Sequence, residues 1–142
     1  MTGTIHATAV AIRGQGVLLL GPPGSGKSDL ALRLIDRGAQ LIADDRVAVG
    51  EGTLLSVPSS IAGRLEVRGL GIIGLPFVES VPAALAVRLD EVPERMPEPM
   101  QFPLGNIAVP LIHLAPFEAS APIKVELALA DVLGLARGIT NG

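Results

Sequence analysis

Apolar and polar positions along this chain switch repeatedly between a period of two and a period near 3.6. Ile5 to Ile12 reads as a strand, and Gly14-Gln-Gly16 as a turn into a second strand, Val17 to Leu20. Gly21 to Ser28 breaks the pattern with glycine and proline. From Ser28 to Arg37 the spacing becomes helical, with Leu30, Ala31, Leu34 and Ile35 on one face. Gly38 follows where a left-handed helix stop is wanted. Gln40 to Ala43 is a short buried strand ending in Asp44-Asp45. Val47 to Val49 and Thr53 to Val57 are further strands around the turn Gly50-Glu-Gly52, and Ser60 to Arg64 is a candidate helical turn. Ala83 to Leu89 and Ile107 to Leu114 are the next strands, and Ile123 to Arg137 mixes strand and helix signals. Asp90 to Pro103 holds four prolines, four acids and Arg95. It is expected to be a mobile loop rather than a linker, because core-like sequence resumes after it. No internal repeat is visible.

Composition narrows the class. At 142 residues the chain is most economically one domain, residues 1–142, with room for a real core. Hydrophobic residues make up 49% but aromatics only 2%, so the core must be aliphatic, as in sheets flanked by helices. No run of about 18 apolar residues exists, so no membrane span is expected. The opening Met1-Thr-Gly-Thr lacks the basic-then-apolar order of a signal peptide, which makes the cytoplasm the expected location. Cysteine is absent, which removes disulfides, thiolate catalysis and cysteine zinc sites together. The net charge of -3 gives no electrostatic footprint for nucleic acid.

The chemistry concentrates in the first half. Gly21-Pro22-Pro23-Gly24-Ser25-Gly26-Lys27-Ser28 fits G-x-x-x-x-G-K-[ST], with a strand before it and an amphipathic helix after it. Its glycines let successive N–H groups point into one hollow at a helix N-terminus, which is an anion nest. Lys27 can reach the β- and γ-phosphates of a nucleotide, and the Ser28 hydroxyl can ligate Mg²⁺. A GTPase would add an N-K-x-D base-reading motif, and none is present. Asp131-Val-Leu-Gly134 matches D-x-x-G without that partner and is read as accidental. Asp44-Asp45 ends an apolar strand, where one carboxylate can bind Mg²⁺, directly or through water, while the other takes a proton from an attacking hydroxyl. The same pair also fits a solvated strand end. His6 lies on the strand expected beside the phosphate-loop strand, and His113 reads as structural. Glu66 and Arg68, just before Gly69-Leu-Gly71, offer a further metal carboxylate and a phosphate-binding guanidinium, or a salt bridge and a tight turn.

Taken together, the loop, "RGAQLIADDRV" at residues 37 to 47 and "LEVRGLGII" at residues 65 to 73 resemble the catalytic domain of HPr kinase/phosphorylase. The strong match covers about residues 4 to 76, and the chain looks like the short form without an N-terminal domain. The resemblance implies an α/β P-loop kinase domain with a mixed central sheet, of the phosphoenolpyruvate carboxykinase-like architecture. It implies ATP and Mg²⁺ as cofactors and the phosphocarrier protein HPr as partner, phosphorylated on serine. Lys27 matches the family's phosphate-binding lysine, and Ser28 and Glu66 its Mg²⁺ ligands. Asp44 matches the carboxylate that deprotonates the HPr serine, which leaves Asp45 on the metal side of the pair. His6 matches a histidine set against that aspartate, and Arg95 the arginine of the family's mobile loop.

Two departures stand out. The proline-glycine-arginine-asparagine segment linked to the phosphorylase reaction is replaced by Ala115-Pro-Phe-Glu118. The C-terminal helix that reaches a neighbouring subunit in the family's hexamer is shortened or absent before Gly142. Phosphorylase activity and the homo-oligomer therefore stand apart from the kinase reading. The alternatives are a small-molecule P-loop kinase and a nucleotide-sensing regulator without turnover. An intact set of Lys27, Ser28, Asp44 and Glu66 argues against the second of these.

Overall fold

The computed structural model describes residues 3–134. Its strands are β1 (Gly3–Ile5), β2 (Thr8–Ile12), β3 (Gln15–Leu20), β4 (Gln40–Ala43), β5 (Val47–Val49), β6 (Leu54–Ser56), β7 (Arg64–Val67), β8 (Gly71–Gly74), β9 (Ser80–Arg88), β10 (Met100–Leu104) and β11 (Ile107–His113). Two α-helices, α1 (Lys27–Asp36) and α2 (Ala121–Val132), and two short 3₁₀ turns, Glu51–Thr53 and Ser59–Ile61, complete the set.

Nine strands form one mixed sheet ordered β1-β5-β6-β9-β3-β2-β4, with β11 also pairing β9 and β10 pairing β11. The hairpin β7–β8 forms a separate two-stranded ribbon. β9 is the spine of the sheet. Its Ala86, Val87 and Arg88 pair in parallel with β3 on one edge and with β11 on the other. β2 is antiparallel to both β3 and β4, so β4 runs parallel to β3. The carboxyl ends of β3, β4, β9 and β11 therefore share one edge of the sheet. In open α/β sheets that edge is where ligands bind.

The pleat divides the core into two layers. Val10, Val17, Leu19, Leu41, Leu85 and Val87 point to one face, where they meet Leu30 and Leu34 of α1 and Val125 and Leu129 of α2. Ala9, Ala11, Leu18, Leu20, Ile42 and Ala86 point to the other, where Val47, Leu55, Leu104 and Val109 of outer strands cover them. Alanines on β2 and β9 let that second layer approach closely, which is how a core with few aromatics closes. Leu30 and Leu34 are both fully buried, so truncating either to alanine should cost about 2–5 kcal/mol.

Local signals explain the ends of α1. Gly26 is the N-cap at φ 98, in the left-handed region. At the other end the Gly38 N–H donates to Ile35 O and the Ala39 N–H to Leu34 O, both at 3.0 Å. Gly38, at φ +111, is the left-handed residue this double closure needs.

Four expected elements differ. The Ile5–Ile12 strand is broken at His6 and Ala7: β1 pairs with β5, whereas β2 pairs with β3 and β4. The expected Asp90–Pro103 loop is shorter, because Met100–Leu104 pairs with β11. Pro103 is tolerated there because β10 pairs on one side only. Ser60–Arg64 gives way to a 3₁₀ turn at Ser59–Ile61, and Arg64 already begins β7. The ambiguous Ile123–Arg137 stretch is helical from Ala121 to Val132, and residues 135–137 lie outside the described residues. Asp131–Gly134 falls at the C-terminal end of α2. Among the described residues, no helix is long and apolar enough to cross a membrane.

Candidate active site

The loop between β3 and α1 holds its shape through glycine. Gly21, Gly24 and Gly26 adopt φ values of 151, 84 and 98, a region that costs any residue with a Cβ. The Ser25 N–H donates to Pro22 O at 3.1 Å and closes the loop on itself. The Lys27 ammonium donates to Gly21 O at 2.6 Å and Pro22 O at 3.0 Å, so it lies over the loop rather than out in solvent. Ser25 Oγ is buried and has no hydrogen-bond partner among the described residues. An orphaned hydroxyl is uncommon in a buried position, and a bound anion would satisfy it.

Asp44 is the hub beside this loop. Its carboxylate is buried, at 9% exposure, and receives three donors. Oδ1 accepts from Thr8 Oγ1 at 2.8 Å and from Ser28 Oγ at 2.7 Å. Oδ2 accepts from the Glu66 backbone N–H at 2.9 Å. These bonds join β2, α1, β4 and β7 at one point. A carboxylate has about four acceptor positions, so Oδ2 retains one for a further donor.

The expected residues fall into three groups. Ser28, Asp44 and Glu66 are brought together, with Glu66 linked through its backbone while its side chain is exposed. Lys27 and the Gly21–Gly26 backbone immediately precede Ser28 in the chain. Asp45 is exposed at φ 73 and turns the chain from β4 toward β5, away from the donors that Asp44 collects. His6 is exposed on the bend between β1 and β2, and Thr8, two residues on, supplies the donor to Asp44. Arg95 is exposed in the irregular stretch after β9, at the same sheet edge.

Thr8 is not among the residues that the sequence motifs single out. The available signal was one hydroxyl at the head of "TAVAI", a strand that is otherwise apolar and wholly or largely buried. Arg33 is a second residue with no signal in the sequence. Its guanidinium donates to the carbonyls of Pro116 and Glu118, the latter at 3.1 Å, and to Asp29 Oδ2 at 3.0 Å. These bonds fasten the β11–α2 connection to the helix that follows the glycine loop.

The oxygen donors here suit a hard cation such as Mg²⁺, which takes one or two carboxylates together with substrate phosphates and water. Among the described residues no group of three or more His, Asp or Glu side chains forms a metal cage. Such an ion would be held by Ser28 with Asp44 or Glu66, and by the phosphates themselves, whereas Asp45 would reach it only by turning inward.

A family model described as the HPr Serine kinase C-terminal domain matches residues 1–80. The chain is similar to an HPr kinase/phosphorylase of Clostridium tetani, 44% identical over 87 residues, covering 59% of this chain and 28% of the relative. It is also similar to one of Streptococcus thermophilus, 48% identical over 89 residues, covering 60% of this chain and 28% of the relative. It thus spans little more than a quarter of the length of these curated relatives. Among solved structures it matches the Hpr(Ser) kinase/phosphatase of Coxiella burnetii with a TM-score of 0.77 and 28% identity, covering 94% of this chain and 91% of that one.

Proposed function

The chain belongs to the HPr serine kinase C-terminal domain family, matched over residues 1–80, and from that premise we propose that it transfers the γ-phosphoryl group of ATP to a serine of the phosphocarrier HPr. The observation that carries this reading is the Asp44 carboxylate, buried and fixed by Thr8, Ser28 and Glu66 directly beside the glycine loop. Phosphoryl transfer needs mainly positioning and charge stabilisation, and such a site supplies both.

In this mechanism the Gly21–Ser28 N–H groups cradle the phosphates, and Lys27 leaves its loop carbonyls for the β- and γ-oxygens. Ser28 and Glu66 would hold a Mg²⁺ ion brought in with the nucleotide, joined by Asp45 if its exposed side chain turns inward, and the ion would supply charge neutralisation for the phosphates. Asp44 takes the proton of the acceptor serine on Oδ2 as the serine oxygen bonds to the γ-phosphorus. The bond from that phosphorus to the β,γ-bridging oxygen breaks, and ADP leaves with the electron pair. His6, exposed two residues before Thr8, takes the part of an auxiliary to Asp44 in this reading. Arg95 closes over the transferring group from the loop after β9. With ATP and HPr as substrates, the reaction belongs in the cytoplasm.

The test is single-turnover transfer from labelled ATP to purified HPr. Asp44→Asn should keep nucleotide binding and lose transfer by about 10² to 10⁴, because the amide cannot take the proton. Inactive Asp45→Asn with active Asp44→Asn would reverse the two roles. Transfer by the parent to water alone would remove HPr as acceptor.

A further inference from the structure

The site has two sides in sheet order. β2 and β4, which bring Thr8 and Asp44, lie on one side of β3, whereas β9 and β11 lie on the other. The connection leaving β11, Ala115 to Glu118, therefore approaches the glycine loop from the side opposite Asp44. It makes close contact. A Cβ placed on Gly26 would lie 2.9 Å from Phe117 Cζ, 3.1 Å from Phe117 Cε1 and 3.2 Å from Pro116 Cβ.

Phe117 is the most exposed of the three phenylalanines, at 67%, in a sequence with no tryptophan or tyrosine. An apolar ring normally gains by leaving water, so an exposed ring fixed at a candidate site points to something that covers it. The backbone beneath it is pinned on both flanks. Arg33 donates to the carbonyls of Pro116 and Glu118, and Glu118 pairs with Lys124 of α2 at 3.5 Å. The ring is thus mounted on the helix that begins at the phosphate-binding loop.

A nucleotide lying along that loop has its γ-phosphate toward Ser28 and Asp44, so its nucleoside must leave on the other side. We propose that Phe117 is the stacking platform for the nucleobase, an inference that rests on the ATP reading above. Stacking adds affinity without reading base edges, because every base has a π-face. It predicts that ATP and GTP depend on the ring alike.

The experiment compares Mg-ATP with Mg-tripolyphosphate, which has the phosphate chain but no nucleoside. By titration calorimetry, Phe117→Ala should weaken ATP about tenfold or more, in the range of one lost base–aromatic stack, and leave tripolyphosphate unchanged. Phe117→Trp would place the only tryptophan in the chain at this position. Its fluorescence should be quenched by ATP and not by tripolyphosphate. Equal weakening of both ligands in Phe117→Ala would make the ring a prop for the loop and overturn the proposal. Unchanged ATP affinity with slower transfer to HPr would make it a protein contact, which also overturns it. If the parent binds neither ligand, the phosphate-loop reading itself falls, and this inference with it.

Discussion

Replacing Thr8 by valine removes one donor from Asp44 and almost nothing else. The two side chains have nearly the same shape, and Thr8 is fully buried, so no cavity forms and no solvent can substitute for the hydroxyl. A hydrogen bond to a charged group contributes about 1.5–3 kcal/mol, while the extra buried methyl returns about 0.8 kcal/mol. The net loss is about 1–2 kcal/mol, or about 3–6 °C in the melting midpoint for a domain near this size. Far-UV circular dichroism is the assay of choice, since the chain has no tryptophan or tyrosine to report by fluorescence. The functional loss should exceed what stability alone accounts for. Oδ1 would keep only Ser28, the residue expected to turn toward the metal, so Asp44 would lose its fixed orientation. Losing such a supporting bond typically costs about 10-fold or more. Turnover should fall by that order with ATP affinity little changed, and Thr8→Ser should restore turnover although it lacks the methyl. A Thr8→Val protein that melts with the parent and transfers at the parental rate would refute the assignment of Asp44 as a positioned base.

The other predictions concern charges. Lys27→Ala should abolish productive ATP binding and leave the melting curve close to the parent, because among the described residues the ammonium bonds only to the carbonyls of Gly21 and Pro22; equal activity at saturating Mg-ATP would contradict it. Arg95→Lys should lower turnover with HPr while ATP affinity in its absence stays the same, since an ammonium lacks the planar fork; a parental rate, or an equal loss of ATP affinity, would remove Arg95 from the reaction. Arg37 of the α1 C-cap pairs with Glu126 of α2 through two hydrogen bonds, at 3.0 and 2.7 Å, and its hydrogen bond and charge attraction to Glu126 raise its pKa above the ordinary arginine value. A raised folded-state pKa gives stability that is present below the unfolded value and lost only as pH rises through the folded one. Both lie above working pH, so the small cost of Arg37→Gln should be the same at pH 7 and pH 10 and should shrink with added salt. A cost that changes between those two pH values would show that another group controls this contact.

The sequence alone determined whatever depends on neighbours within a few residues. The helical spacing of Leu30, Ala31 and Leu34, the stop at Gly38 and the glycine loop before Lys27 are local matters of period and backbone freedom, and the structure reproduces them. The family resemblance was equally legible, because it rests on ordered motifs within residues that the family model also covers. What could not be read locally was pairing. "TIHATAVAI" is one apolar stretch in sequence, but β1 and β2 join different partners, and the break between them exposes His6 and buries Thr8. Met100–Leu104 looks like the end of a proline-rich loop, and it becomes a strand only because β11 offers it an edge. The composition of the site was decided in the same way. Asp44 and Asp45 are adjacent and chemically alike. The carboxyl edge of the sheet sets one against donors from three other elements, while a left-handed turn sends the other to solvent. Phe117 reaches Gly26 from 91 positions away because β11 lies parallel to β9, and β9 to β3. Side-chain chemistry and local period are written in the order of residues. Which groups share a hydrogen bond across the sheet edge is set by strand order, which arises only when the whole core closes.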